Sequence, residues 1–257
     1  MISNFSRYRD IVLYRTWAEL KAESQQNYLG YVWFLLQPMI TTAILYVVFG
    51  VLWSNRGGEY VVFLLTGMVV WQWFESCINS GMGAIKAKLH IMKEIPLPKY
   101  LFPLVHIFAD TWRFLFVFVV LIGFASIFKF YPNWNYFYLP LLIVIHLTFI
   151  IGIALILSVA SAYLNDLTTI VQSMLRILFF ISGIFFSIDK IPAELIPWFL
   201  ANPAAAMIHN YRSVIIDNTA PSLYLMGYIL ALGLTLCCIG FYICKHFDQK
   251  ITKDISL

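Results

Sequence analysis

Charge is scarce in this chain. Lys, Arg, Asp and Glu make up 12% of its 257 residues and hydrophobic types 61%, whereas a soluble domain is about 25% charged. With a mean hydropathy of +0.80, this balance excludes an ordinary soluble domain. No Gly-Lys dipeptide occurs, so the GxxxxGK(S/T) loop that cradles nucleotide phosphates is missing and the chain cannot bind nucleotide in that way. GxSxG, HExxH and a pair of intramembrane acids suited to proteolysis are missing too. The histidines (His90, His106, His146, His209 and His246) fall at no ligand spacing. Cys77, Cys237, Cys238 and Cys244 lie within or at the ends of apolar runs without paired metal spacing, which reads as small apolar filler. No enzyme and no metal site are expected. A net charge of +4 is too small to imply nucleic acid. The first 33 residues are charged throughout without a central apolar block, so no cleavable signal peptide is expected.

What the chain has instead is long apolar runs. A hydrocarbon layer about 30 Å thick needs about 20 apolar residues per helical span. Run length predicts six spans: Phe34 to Trp53, Tyr60 to Asn79, Leu101 to Phe128, Phe137 to Tyr163, Leu167 to Ile188 and Ser222 to Cys244. Lys and Arg collect in alternate gaps. Arg7, Arg9, Arg15 and Lys21 precede span one; Lys86, Lys88, Lys93 and Lys99 follow span two; Lys245, Lys250 and Lys253 follow span six. The opposite side holds Arg56, Lys129, Lys190 and Arg212. Positive residues are retained on the cytoplasmic side, so both termini are expected there. Trp33 and Trp53 bracket span one, and Tyr131, Trp134, Tyr136 and Tyr138 cluster at the outer boundary between spans three and four, where amphipathic rings favour headgroup depth.

Two segments fall outside this pattern. Tyr8 to Gln26 reads as a helix lying on the inner membrane surface, with Leu13, Trp17 and Leu20 as a narrow apolar stripe. Asp189 to Ala220 is apolar but broken by Pro192, Pro197 and Pro203, which stop or kink helices. It reads either as two short half-inserted helices meeting at Asn202-Pro203, a re-entrant outer gate, or as an amphipathic outer loop. Non-helical backbone at membrane depth survives only when buried in protein or beside water. The fold class expected is thus an all-α integral membrane protein of six transmembrane helices, with an N-terminal interface helix and a re-entrant hairpin before the last span. It is one transmembrane domain over 1–257: interface helix 1–33, spans one to five 34–188, gate 189–220, span six 221–244, and tail 245–257.

Charges inside spans cost about 2.5–3.5 kcal/mol each unless they meet a partner or a watery cavity. Asp110 and Arg113, at i and i+3, can pair with each other. Arg176 has no acid one turn away. At 1.5 Å per residue, Asp110 and Arg176 lie about 14 Å from the inner end and Glu75 about 6 Å. The alternative to simple pairing is a polar cavity opening inward, with Arg113 or Arg176 meeting an anionic lipid headgroup. The segment Ala84 to Pro98 mixes lysines with Ile85, Leu89, Ile91, Met92 and Ile95. It reads as a short amphipathic helix for the groove of a soluble partner, or as a basic loop on anionic lipid. Aromatic residues reach 18%; most anchor or pack helices, and Tyr46, Trp71, Trp73 and Phe74 are the candidates to line a conduit for sugar rings.

Asn27 to Pro38, NYLGYVWFLLQP, closely resembles the approach to the first span in ABC-2-type permeases, the membrane subunits of exporters for O-antigen, capsular polysaccharide and teichoic acid. The KEIPLP stretch at Lys93 to Pro98, and Asn202-Pro203 followed by Tyr211-Arg212, are similar to further elements of that family, in the same order along nearly the whole chain. The resemblance implies a homodimer working with two ATP-binding cassette subunits, which hold the ATP and Mg, while this chain binds no cofactor. It implies that the leading helix and the loop containing Ile85, Lys86, Lys88, Leu89, Lys93 and Glu94 dock on those ATPases. Pro192, Pro197, Asn202, Pro203, Tyr211 and Arg212 would form the outer gate, with aromatic side chains lining the channel. The cargo implied is a lipid-linked polysaccharide crossing a bacterial inner membrane. One departure is Asn165-Asp166, where the family often has Arg-Asp, which puts a charge-pair role there in doubt. Export of drugs or small lipids is the alternative. A proton-coupled secondary transporter would need a titratable relay and internal repeats, and this chain has few acids and no detectable repeat.

Overall fold

Apolar runs long enough to cross a bilayer become helices because lipid leaves a backbone no hydrogen-bond partner but itself. In a computed structural model, the backbone of residues 2–26, 32–51, 58–87 and 97–254 is described. The same holds for the side chains of these residues except 2–7, 23–26, 34, 45, 49–51, 58 and 248–254. Among the described residues there are nine α-helices and no strand: α1 (Ile2–Gln26), α2 (Val32–Leu45), α3 (Gly58–Ala87), α4 (Leu101–Ile127), α5 (Tyr138–Tyr163), α6 (Leu167–Ile181), α7 (Ile196–Leu200), α8 (Pro203–Ile215) and α9 (Leu223–Asp254). Proline sits where it is tolerated: Pro103 and Pro140 fall in the first turns of α4 and α5, whose N–H groups have no intrahelical acceptor. Pro38 instead lies inside α2, which continues as a π-helical turn over Tyr46–Val51.

Four helices are long and apolar enough to span: Glu59–Ala87, Leu101–Ile127, Trp134–Tyr163 and Leu223–Phe247. The apolar stretches Leu35–Val48 and Leu167–Ile181 are shorter. The second span expected from sequence ends too early. α3 runs on to Ala87 because a stripe of small polar residues after Ile78 breaks the apolar count without breaking the helix, and Glu75 therefore lies about 18 Å from the helix end. The fifth expected span runs too long. α6 stops at Ile181, and Gly183 follows at φ +70, a conformation open to glycine at no steric cost. The turn is held by Ser182, whose hydroxyl donates to the Leu178 carbonyl at 2.6 Å and accepts from Asn202 Nδ2 at 3.0 Å.

α3 is the central helix, packed against α2, α4, α5, α6 and α8. α5 and α9 form the tightest pair, and glycine makes it possible. A Cβ on Gly152 would lie 2.6 Å from Leu236 Cβ, one on Gly233 would lie 2.9 Å from the Phe149 backbone nitrogen, and one on Gly240 would lie 2.8 Å from Leu155 Cβ. Between apolar helices in lipid such close approach supplies the association energy. The first helix docks on α4 through a face that the apolar stripe read from its sequence only borders. Val12, Thr16 and Leu20 are buried against α4, whereas Leu13 and Trp17 are 55% and 68% exposed. Thr16 donates to the Val105 carbonyl at 3.3 Å, and His106 Nδ1 lies 2.6 Å from Glu19 Oε1. The polar contacts select the face that docks, and the apolar residues beside it are left outward.

Candidate functional site

A polar stripe runs along α3: Gln72, Glu75, Ser76, Asn79 and Ser80, spaced i, i+3, i+4, i+7 and i+8, so one helix face carries all five. Together with Gln37 of α2 and Asp110 and Arg113 of α4 it walls a cavity of about 430 Å³. Asp110, with a side chain 2% exposed, is fully served: Ser76 Oγ donates at 2.8 Å, Ser80 Oγ at 2.5 Å, and Arg113 pairs with it across one turn. A carboxylate holding two hydroxyl donors and a guanidinium offsets its desolvation. Trp73 closes one side of the cavity, donating through Nε1 to Thr111 Oγ1 at 3.2 Å and stacking on Phe114 with centroids 4.1 Å apart. Glu75 accepts from Trp71 Nε1 at 3.0 Å.

The polar cavity shares Pro38, Val69 and Val117 with a second one of about 290 Å³, lined by apolar side chains of α2, α3 and α4 together with Thr42 and Tyr46. The two make one groove, polar toward the Lys86 end of α3 and apolar beyond. Sequence reasoning paired Asp110 with Arg113, offered a polar cavity as the alternative, and missed Gln72, Ser76, Asn79 and Ser80, although their helical spacing was readable.

At the other end of α3 the central feature is Arg212 of α8. Its guanidinium donates to the carbonyls of Gly183 at 2.6 Å, Ile184 at 2.7 Å and Phe63 at 3.0 Å. It also lies 3.4 Å from the centre of the Phe63 ring. Gly67 leaves the room: a Cβ there would lie 2.5 Å from Arg212 Nη2. Beside it a cavity of about 350 Å³ is rimmed by Phe186, Asp189, Phe199, His209 and Asp217. Asn202 caps α8, its side chain accepting from the Ala204 N–H at 3.0 Å, with Pro203 at the first helical position. Tyr211 is fully buried, against Phe118 and His146. Pro192 accepts at its carbonyl from the Leu195 N–H at 2.9 Å, and Pro197 opens the short α7.

The amino-acid pattern over most of the chain now settles its kinship: residues 12–216 match the ABC-2 type transporter family. The chain belongs to that family. It is 26% identical over 246 residues to the O-antigen export system permease protein RfbA of Klebsiella pneumoniae, covering 95% of this chain and 94% of the relative. To a protein of the same name from Myxococcus xanthus it is 20% identical over 257 residues, covering 99% of each. To the polysialic acid transport protein KpsM of Escherichia coli it is 23% identical over 238 residues, covering 91% and 92%.

In this ABC-2 chain the remaining candidate residues separate clearly. Ile85 is buried in a small core with Leu155, Val159, Ala162 and Cys244. Lys86 is exposed and donates to Asn165 Oδ1 at 2.8 Å, tying the end of α3 to the turn after α5. Lys88, Leu89, Lys93 and Glu94 lie outside the described residues. Trp71, Trp73 and Phe74 are 2%, 3% and 5% exposed, and pack as a cluster with Phe114, His146 and Phe179; Trp73 also borders the polar cavity and Tyr46 the apolar one. Arg176 projects from α6, a helix in which Leu175 alone is buried. Thr169, Gln172 and Ser173 share its stripe and are likewise exposed.

Proposed function

We propose that this chain is the permease subunit of an ATP-driven ABC exporter that moves lipid-linked polysaccharide, of O-antigen or capsule type, across a bacterial inner membrane. The observation that carries the reading is the near full-length similarity to O-antigen and polysialic acid export proteins. Missing nucleotide-binding loops put the motor on a separate subunit, and two ATP-binding cassette chains, with their ATP and Mg, supply it. α2 and α6 serve as the first and fifth of six spans, α1 lies on the inner surface with Leu13, Tyr14 and Trp17 toward lipid, and both termini are cytoplasmic. The α7–α8 pair, held by Arg212, forms the outer gate.

α6 supports the dimer. It exposes an apolar face (Ile170, Met174, Ile177) beside a polar stripe ending in Arg176. Lipid would penalise an exposed mid-depth arginine by about 2.5–3.5 kcal/mol. A second copy covering the apolar face, with the stripe on a wet passage between the copies, removes that penalty. Arg113 is already paired, so Arg176 is the cation placed to meet the phosphate of a lipid carrier. Deleting the gene should cause lipid-linked glycan to accumulate inside, and Arg176→Gln should reproduce that accumulation with the protein still in the membrane. Normal export in both strains would end this reading.

A further inference from the structure

The groove between α2, α3 and α4 is built like the site of a single lipid. Its two chambers meet at Pro38, Val69 and Val117, and they differ in chemistry along the length of α3. The polar chamber is richer in acceptors than in cations. Arg113 is balanced by Asp110, which leaves the Glu75 carboxylate, bonded to the neutral Trp71 indole, as surplus negative charge. Asn79 adds a buried carbonyl oxygen that has no hydrogen-bond donor among the described residues. An anionic headgroup would face Glu75 with no cation besides Arg113 among the described residues that line the chamber. A zwitterionic headgroup with a primary ammonium sets a local cation and three N–H donors beside Glu75 without adding net negative charge.

We propose that this groove binds one aminophospholipid of the phosphatidylethanolamine class. Its ammonium donates to Glu75 and Asn79, and its phosphate lies toward Gln72. One acyl chain passes Val117 into the apolar chamber beside Tyr46 and Phe124. The lipid fills the seam between α2 and the α3–α4 pair, so it acts as a wedge between them. The inference rests on α3 and α4 crossing a bilayer and is independent of the cargo.

The test is native mass spectrometry of the full-length chain with its partner subunits, titrated with dioleoyl phosphatidylethanolamine, phosphatidylcholine or phosphatidylglycerol. Phosphatidylcholine keeps the net charge of the ethanolamine lipid but has no ammonium N–H, so it separates hydrogen bonding from charge. One tight equivalent of the ethanolamine lipid per copy of the chain is expected, with the other two roughly tenfold weaker, as for loss of a charge-assisted hydrogen bond. Glu75→Gln should abolish the preference, and Val117→Trp, which plugs the junction of the chambers, should abolish retention. Equal retention of all three lipids by the unaltered protein overturns the proposal, whether or not either variant folds. So does displacement of the ethanolamine lipid by a polyisoprenyl phosphate at lower concentration, which would assign the groove to an anionic carrier.

Discussion

Arg212 and Gly67 fit as a pair: the guanidinium reaches the carbonyls of Phe63, Gly183 and Ile184 only because Gly67 carries no Cβ, which would stand 2.5 Å from Nη2. A buried arginine bonded to backbone carbonyls needs its planar fork, which lysine cannot reproduce. Arg212→Lys should destabilise the purified protein by about 1.5–3 kcal/mol, the value of hydrogen bonds to a charged group. Gly67→Ala should cost a similar amount alone and much less in the Arg212→Lys background. Thermal melting of the four proteins of that cycle checks the coupling, and additive losses would mean that the two residues act separately.

The Asp110 network makes a second expectation. Asp110→Asn leaves Arg113 without its countercharge at membrane depth, at a cost of about 2.5–3.5 kcal/mol. Ser76→Ala and Ser80→Ala each remove one donor to that carboxylate and should cost about 1–3 kcal/mol. Adding Arg113→Gln to Asp110→Asn should restore part of the lost stability, because the uncompensated charge is then gone. Denaturation in mild detergent measures all of these.

Glycine at the α5–α9 seam can be compared with glycine in open positions. Gly152→Ala meets Leu236 Cβ at 2.6 Å and Cys237 N at 2.8 Å, whereas a Cβ on Gly123 meets nothing within 4 Å. The first substitution should cost about 1–3 kcal/mol as overpacking. The second should be neutral or slightly stabilising, since alanine is the better helix former. Equal melting temperatures would show that the two helices can separate without loss.

Lys86 tests coupling apart from folding. It is exposed, and its hydrogen bond to Asn165 joins two cytoplasmic-side elements of the proposed exporter. Lys86→Ala should change stability by less than about 0.5 kcal/mol, as surface substitutions do, while lowering export and the ATPase rate of the assembled complex together. Unaltered export would leave the contact a structural tie and nothing more.

Much of the fold was legible because bilayer thickness writes itself into run length. α4 and α5 begin and end within a residue of the apolar boundaries, and α9 begins within one. The end of α6 was not, although its start at Leu167 was, because an apolar run does not announce that Gly183 will turn the chain back. The docking face of α1 was not legible, because Thr16 and Glu19 meet Val105 and His106 of α4, segments far apart in sequence. At the site, the Asp110–Arg113 pair was readable as neighbours on one helix, whereas Ser76 and Ser80 join it from another. The Arg212 cradle was beyond reach for a simpler reason: its partners are backbone carbonyls, which every sequence has.

The central claim is that this chain forms a passage and owns no motor. Proteoliposomes containing the chain, its cognate ATPase, or both, with lipid-linked glycan inserted on the ATPase side, test it most directly. The account predicts no nucleotide hydrolysis by the chain alone and no glycan transfer by either component alone. Both activities should appear when the two are combined with ATP and Mg. Hydrolysis by the purified chain, or glycan transfer without ATP, would contradict it.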